Sequence, residues 1–240
     1  MVGGRSWLAM RLLATAAALA ITACSAGAAA TRTTSSGGTF VFALDAEPVA
    51  LDAALSPDTS AARIVNQMVE GLVELAPRRT SIVPKLATGW QTSKDGRTWT
   101  FFLRRGVAFH DGTRFNAAAV CFNFKRWYRF KGSLQGSAYL WPLVFGAFRN
   151  PDPSVPGPPT SLYRGCKRVN DHTVRLRLAR RTTSFLEALA LPNFGIASPT
   201  ALKKYDADKG EVDDNGVFHP TGTYSTQHPT GTGPYMFKSW

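Results

Sequence analysis

The sequence predicts an α/β fold of the mixed α+β kind, and three observations carry that expectation. Apolar residues recur at helical spacing over 59–75 and 117–130. They alternate with period two in Thr173-Val174-Arg175-Leu176-Arg177-Leu178, as in a half-buried strand with its arginines outward. An Asp95-Gly96 pair lies between two β-branched and aromatic runs, as in a hairpin. A hydrophobic content of 44% with 15 phenylalanines supports a packed core over a disordered chain.

Taken in order, residues 1–23 read as a secretory signal. Arg5 and Arg11 supply positive charge, and Leu12 to Ile21 is an apolar run too short for a bilayer, which needs ~20 residues. Ile21-Thr22-Ala23-Cys24 is similar to a lipobox, in which cleavage precedes a cysteine that then receives lipid. The plainer alternative is an ordinary signal peptide that contains a cysteine. Residues 24–38 hold no large apolar side chain and read as a flexible tether. Lipid on Cys24 would anchor the chain to the membrane, at its extracellular face or in the periplasm.

Thr39 to Leu44 reads as the first strand, followed by a Pro-containing loop, with Asp58 capping a helix over 59–75. Ile64, Met68 and Leu72 form one row of that helix, and Val65, Val69 and Val73 the next. Gly71 inside the pattern costs ~1 kcal/mol relative to Ala. The hairpin follows, with a type I′ turn at Asp95-Gly96, a strand over Thr98–Leu103, and Gly106 as its breaker. Asn116 caps a helix over 117–130 with Val120, Phe124, Trp127 and Tyr128 on one face. Six prolines between Pro142 and Pro159 make 131–165 a long surface loop. After the 172–178 strand come a helix over 184–191, a short strand at Ile196-Ala197, and a helix opened by Ser198-Pro199. A second polar loop covers 211–235, and Tyr235–Trp240 begins a strand.

The formal net charge is +12, or +10 once Arg5 and Arg11 are removed. No basic run reaches four residues, so no nucleic-acid partner is expected. The charges, Lys125-Arg126 among them, read as a solvated basic surface near anionic lipid or cell wall. In an oxidising compartment Cys121 and Cys166 can pair as a disulfide. Cys121 lies on a helical face and could equally be a buried free thiol. His110, His172, His219 and His228 show no metal-ligand spacing, and no HExxH, GxSxG or P-loop occurs. No enzyme activity, cofactor or metal is expected. His110-Asp111-Gly112 reads as a turn in preference to a catalytic or metal-binding pair.

Several motifs fall in one order: the lipobox, "EPVALDA", "IVNQMVEGLVEL", "PKLATGWQTSKDGRTWTFFLRRGVAFHDGTRFNAAAV", "DHTVRLRL" and "HPTGTGPYMFKSW". From Thr39 to Trp240 the chain resembles the N-terminal part of the family 5 extracellular solute-binding proteins of ABC importers, of the oligopeptide- and dipeptide-binding type. Ala119 stands where that family commonly has an acidic residue. The resemblance implies a type II periplasmic-binding-protein-like lobe with an extra subdomain. Residues 39–57 would begin lobe I, 58–165 would form its subdomain, and 166–240 would continue lobe I to a crossing strand, with the second lobe missing and binding impaired. It implies a monomer that captures peptides and delivers them to a permease and its ATPase subunits. Nickel complexes or oligosaccharides are the alternative cargo, and a surface lipoprotein without a transport role is the alternative of another class. Glu47 matches an acidic ligand contact, or is a solvated loop carboxylate. Tyr139 either faces the cleft or packs in the core. Gly231, Gly233 and Pro234 shape the crossing between lobes, or form a plain turn.

Overall fold

The computed structural model describes residues 38–56, 58–213 and 218–240. The signal segment, Cys24 and the tether up to residue 37 lie outside the described residues. The chain divides into two units between Ala43 and Leu44. In the first, residues 38–43 are described. They run without a ladder partner among the described residues, so the predicted strand at Thr39–Leu44 is not formed. Phe40, Val41 and Phe42 are exposed, and the two phenylalanine rings stack 6.4 Å apart. Strand-forming side chains alone do not make a strand; a neighbour must accept and donate the ladder bonds.

The second unit opens with irregular chain over 45–56, and Asp58 leads into helix α1 (Thr59–Met68). The Asp58 carboxylate accepts from the Ala61 amide at 2.6 Å, as predicted for a cap. The helix stops seven residues earlier than its apolar rows suggest. Val69 is already extended, Glu70 bridges to Ile196, and Val73–Leu75 is strand β1, paired with β2 (Ile82–Pro84). Val69, Leu72 and Val73 are buried as expected, but from extended backbone. A Cβ on Gly71 would stand 3.1 Å from the Val73 carbonyl and 3.2 Å from that of Leu189. Two β-branched residues and a glycine weaken the helix where these tertiary pairings compete with it.

Strands β3 (Ala87–Thr92), β4 (Thr98–Leu103), β5 (Tyr163–Asn170) and β6 (Thr173–Leu178) form one antiparallel sheet in the order β3-β4-β6-β5. It takes strands from both sides of residue 165. The β3–β4 turn is not type I′. Only Gly96 of the predicted pair has positive φ (+67°), and its amide donates to the Ser93 carbonyl at 2.8 Å. The Ser93 hydroxyl instead binds the Asp95 carboxylate at 2.5 Å, a local side-chain bond that holds Asp95 in the turn.

Helix α2 (Ala117–Tyr128), capped by Asn116, packs against β5 and β6. Cys121 on α2 and Cys166 on β5 are joined by a disulfide, their Cα atoms 5.2 Å apart. The predicted 131–165 loop holds two short helices, α3 (Ser133–Ser137) and α4 (Leu140–Phe145). Trp141 and Phe145 are buried and stack 4.4 Å apart, and Phe145 reaches Phe194 at 5.5 Å. The prolines from Pro151 to Pro159 stay in irregular chain. Beyond β6 come α5 (Phe185–Leu189), a 3-10 turn (Pro192–Phe194), and α6 (Pro199–Lys204), capped by the Ser198 hydroxyl on the Ala201 amide at 3.2 Å. Ile196 forms a single bridge in place of a strand. The predicted 211–235 loop contains an antiparallel pair, β7 (Gly210–Val212) and β8 (Phe218–Pro220), and a turn of helix, α7 (Tyr224–Gln227). Tyr235–Trp240 is irregular.

Arg126 is not part of the basic surface. It is buried on α2, bonded to Asp52 at 2.6 and 3.3 Å and to Asp208 at 2.8 Å, with Phe130 beneath its guanidinium at 5.0 Å. Burial opposes its charge, and the carboxylates of Asp52 and Asp208 more than offset that, so its pKa rises. Arg126→Met should therefore lower the unfolding free energy by about 3–5 kcal/mol in chemical denaturation, because Asp52 stays buried without a counter-charge. Adding Asp52→Leu should recover part of that loss.

Candidate functional site

The loop over 45–56 is held from below. The Leu51 amide donates to the Ser225 carbonyl at 2.9 Å. The Ser56 hydroxyl reaches the Ala50 and Asp52 carbonyls at 2.7 and 2.6 Å, and Asp52 accepts from the Ala54 amide at 3.0 Å. Asp45 accepts from the Ser60 hydroxyl at 3.0 Å and pairs with Arg63. A backbone hydrogen bond, then Ser60, holds its carboxyl below the usual range. Pro48 and Ala50 point inward, which leaves Glu47 and Val49 exposed as a rim.

The second part is the segment Thr230–Tyr235, pinned from three sides. The Gly233 amide donates to the Met68 carbonyl at 2.9 Å and the Tyr235 amide to that of Gln67 at 3.1 Å. The His110 amide donates to the Gly231 carbonyl at 2.9 Å, and its ring Nε2 lies 2.8 Å from the Gly233 carbonyl. A carbonyl only accepts, so the proton sits on Nε2. The Ser198 amide holds the Thr230 carbonyl at 3.0 Å, and the Thr232 hydroxyl donates to Glu70 at 2.8 Å. A Cβ on Gly231 would lie 2.2 Å from the Met68 carbonyl, and one on Gly233 2.4 Å from that of Gln67. Both positions need glycine for this close backbone approach.

His110 and Asp111 serve different neighbours. Asp111 accepts from the Ser198 hydroxyl at 2.5 Å and from the hydroxyl and amide of Thr113 at 2.5 and 3.0 Å. Gly112 takes a φ of +78° in the turn. Burial works against ionising Asp111, but Ser198 and Thr113 prevail and hold its carboxyl below the ordinary range. Of the other histidines, His219 lies 2.9 Å from Asp213, and His228 stacks on Tyr205 at 3.6 Å. Among the described residues, no group of three His, Cys, Asp or Glu is placed to hold a metal.

The rim and the pinned segment meet where the Trp240 indole N–H donates to the Glu47 carboxylate at 2.9 Å. Val49, two residues after Glu47, and Tyr235 and Met236, which follow Pro234, are exposed. Tyr139 stands at the start of α4, 42% exposed, outside this meeting point. A small cavity of about 40 Å³ is lined by Val49, Asp52, Ser137 and Ser225, among others. It sets the rim against the end of α3, two residues before Tyr139. A wider, more open hollow of about 420 Å³ lies elsewhere, beside Lys131 and Asp208. The sequence reading missed Arg126, which positions Asp52 under the rim. Its signal was a cation on the same helical stripe as buried Asn123 and Trp127.

The sequence profile of the bacterial extracellular solute-binding proteins, family 5, matches residues 81–240. The chain belongs to this family. A glutathione-binding protein of Salmonella choleraesuis is 30% identical over 203 residues, covering 83% of this chain and 32% of that protein. Di/tripeptide-binding protein 4 of Pseudomonas aeruginosa is 30% identical over 241 residues, covering 93% and 38%. A dipeptide-binding protein of Pseudoalteromonas, solved with Met-Leu, superposes with a TM-score of 0.62 at 26% identity, covering 81% and 36%. The chain thus spans about a third of the length of the relatives it matches. Its fold is that of the type II periplasmic binding proteins. Within family 5, the matched region includes the His110 turn and the whole pinned segment.

Asp111 links stability to pH in a definite direction. Its folded pKa lies below the unfolded value near 3.8, so its contribution is present above that value and lost as pH falls through the folded pKa. Asp111→Asn should lower the melting temperature at pH 7, and the gap from wild type should close below about pH 4. A gap that stays constant in a thermal melt series from pH 7 to 3 would refute this linkage.

Proposed function

We propose that this chain provides one wall of the solute-binding cleft of an ABC importer's capture protein, with peptides as cargo. The observation that carries the reading is the Glu47 rim set against the pinned Thr230–Tyr235 segment in a family 5 chain. Glu47 offers a carboxylate oxygen to an N–H donor, which the Trp240 indole occupies here. A peptide amide could take the same oxygen in place of the indole, and a peptide ammonium would add its own positive charge to a bond whose acceptor is already a carboxylate. Val49, Tyr235 and Met236 are exposed and available as apolar contacts. The peptide cargo is supported by relatives named for glutathione and di- and tripeptides.

Residues 39–57 and 166–240 are assigned to the ligand-facing lobe in this reading and 58–165 to its subdomain, with the β3-β4-β6-β5 sheet running across that boundary. Gly231, Gly233 and Pro234 carry the chain toward the opposite wall, and Tyr139 borders the cleft from the subdomain. Capture works by closure around the ligand and release to a permease, with no covalent chemistry. The protein acts as a monomer outside the cytoplasmic membrane, tethered through lipid on Cys24.

Protein purified from its native host and titrated with di- to tetrapeptides should melt at a higher temperature. A ligand at a hundred times its Kd stabilises the native state by about 2.7 kcal/mol. Glu47→Ala should weaken that shift, and mass spectrometry should find acyl chains on Cys24. A melting point moved by nickel chelates or oligosaccharides alone overturns the peptide assignment. A melting point moved by no solute overturns capture itself.

A further inference from the structure

We propose that the outer face of the four-stranded sheet is an electrostatic docking surface for an anionic phospholipid bilayer. This rests on the sheet's register and is independent of the solute-binding reading. Val174, Leu176 and Leu178 of β6 are buried toward α2, so Arg175 and Arg177 stand on the opposite face and are exposed. Arg177 lies across from Thr98 and Gly165, and Arg175 across from Thr100 and Lys167. Lys167 is exposed as well.

The neutral residues of this face include Gly89, Gln91, Thr98, Thr100, Phe102, Gly165, Asn170 and Thr173, and no carboxylate shares it in the paired register. Among the described residues, none of Lys167, Arg175 and Arg177 forms an ion pair. The nearby salt bridges instead join Arg97 to Asp95 and Arg168 to Asp171. Lys167 and Arg175 face each other directly across the ladder, an arrangement that destabilises a sheet. An anionic partner would relieve that repulsion.

The shape selects the partner. The cations sit on the broad face of a sheet, with Thr98 and Thr100 across the ladder from Arg177 and Arg175. Phe102, 38% exposed at one end of the face, adds an apolar contact. A planar array of phosphate headgroups fits this pattern. Each Lys or Arg close to such a surface is worth about 1 kcal/mol, so three give on the order of 100-fold in partitioning. The attraction must fade with salt, as the Debye length shortens.

The test is co-sedimentation of the full chain with phosphatidylcholine vesicles, with and without one quarter phosphatidylglycerol, at low and high salt. The variant with Lys167→Gln, Arg175→Gln and Arg177→Gln should lose on the order of 100-fold of its preference for the anionic vesicles. A control with Arg79→Gln, Lys125→Gln and Arg149→Gln carries the same net charge and should lose less than about 5-fold. Equal losses in the two variants would show that net charge alone acts, and would overturn the proposal. So would equal binding to neutral and anionic vesicles, or tighter binding of a DNA oligonucleotide through the same three residues. If the triple variant fails to fold, Arg175→Gln alone decides. It removes the Lys167 repulsion, so it should melt no lower than wild type while losing about 5-fold in anionic-vesicle binding. An unchanged affinity there contradicts the assignment.

Discussion

The guanidinium of Arg126 is the fixed point on which the functional side of this chain is built. A fully buried cation is tolerable only if its desolvation is offset by well-placed acceptors. Asp52 supplies two oxygens and Asp208 a third, while Phe130 closes the site from below. These acceptors come from distant parts of the chain, so one side chain on α2 determines where both must go. Asp52 also organises its own loop through the Ala54 amide, and Ser56 closes the same loop onto Ala50 and Asp52. The rim that displays Glu47 and Val49 is a consequence of that buried charge.

The pinned segment answers a different constraint. Residues 231–235 must pass close to the end of α1, and only glycine permits the approach at positions 231 and 233. Backbone bonds to Gln67 and Met68 hold one side, and His110 holds the other through both its amide and its ring. Asp111, in the same turn, ties Ser198, whose amide in turn holds Thr230. The His-Asp turn is thus a buckle for the segment leading out of the rim, and its residues are engaged by backbone and hydroxyl partners.

What the sequence revealed was what is local. Asp58, Asn116 and Ser198 cap helices because the cap bond is made within three residues. The β6 alternation and the β3–β4 hairpin read correctly because each face is set by neighbours in sequence. The failures share a cause in long-range pairing. The apolar rows of α1 continue through Val69 and Val73, but a bridge to Ile196 and the β1–β2 pairing convert that stretch to extended chain. Apolar spacing cannot distinguish a helix from buried strands when both bury the same residues. Prolines hid α3 and α4, although Trp141 and Phe145 lie at the spacing of one helical turn. Arg126 was taken for a surface charge because its partners lie 74 and 82 residues away. Of the residues singled out in the sequence, Gly231 and Gly233 lie against the end of α1, and Glu47 bonds Trp240, beyond that segment. The part of His110 was not, because its partners are carbonyls and carry no side-chain signature.

Residues 231–235 form a pinned strap, held to α1 and the His110 turn, and not a mobile linker. Amide hydrogen exchange on the wild-type chain tests it directly, since an amide held in the folded frame exchanges only through opening. The Gly233 and Tyr235 amides should be protected to within about tenfold of the α2 amides, and His110→Ala should speed these two while leaving α2 unchanged. Exchange of Gly233 and Tyr235 as fast as in the exposed loop over 151–159 would contradict it.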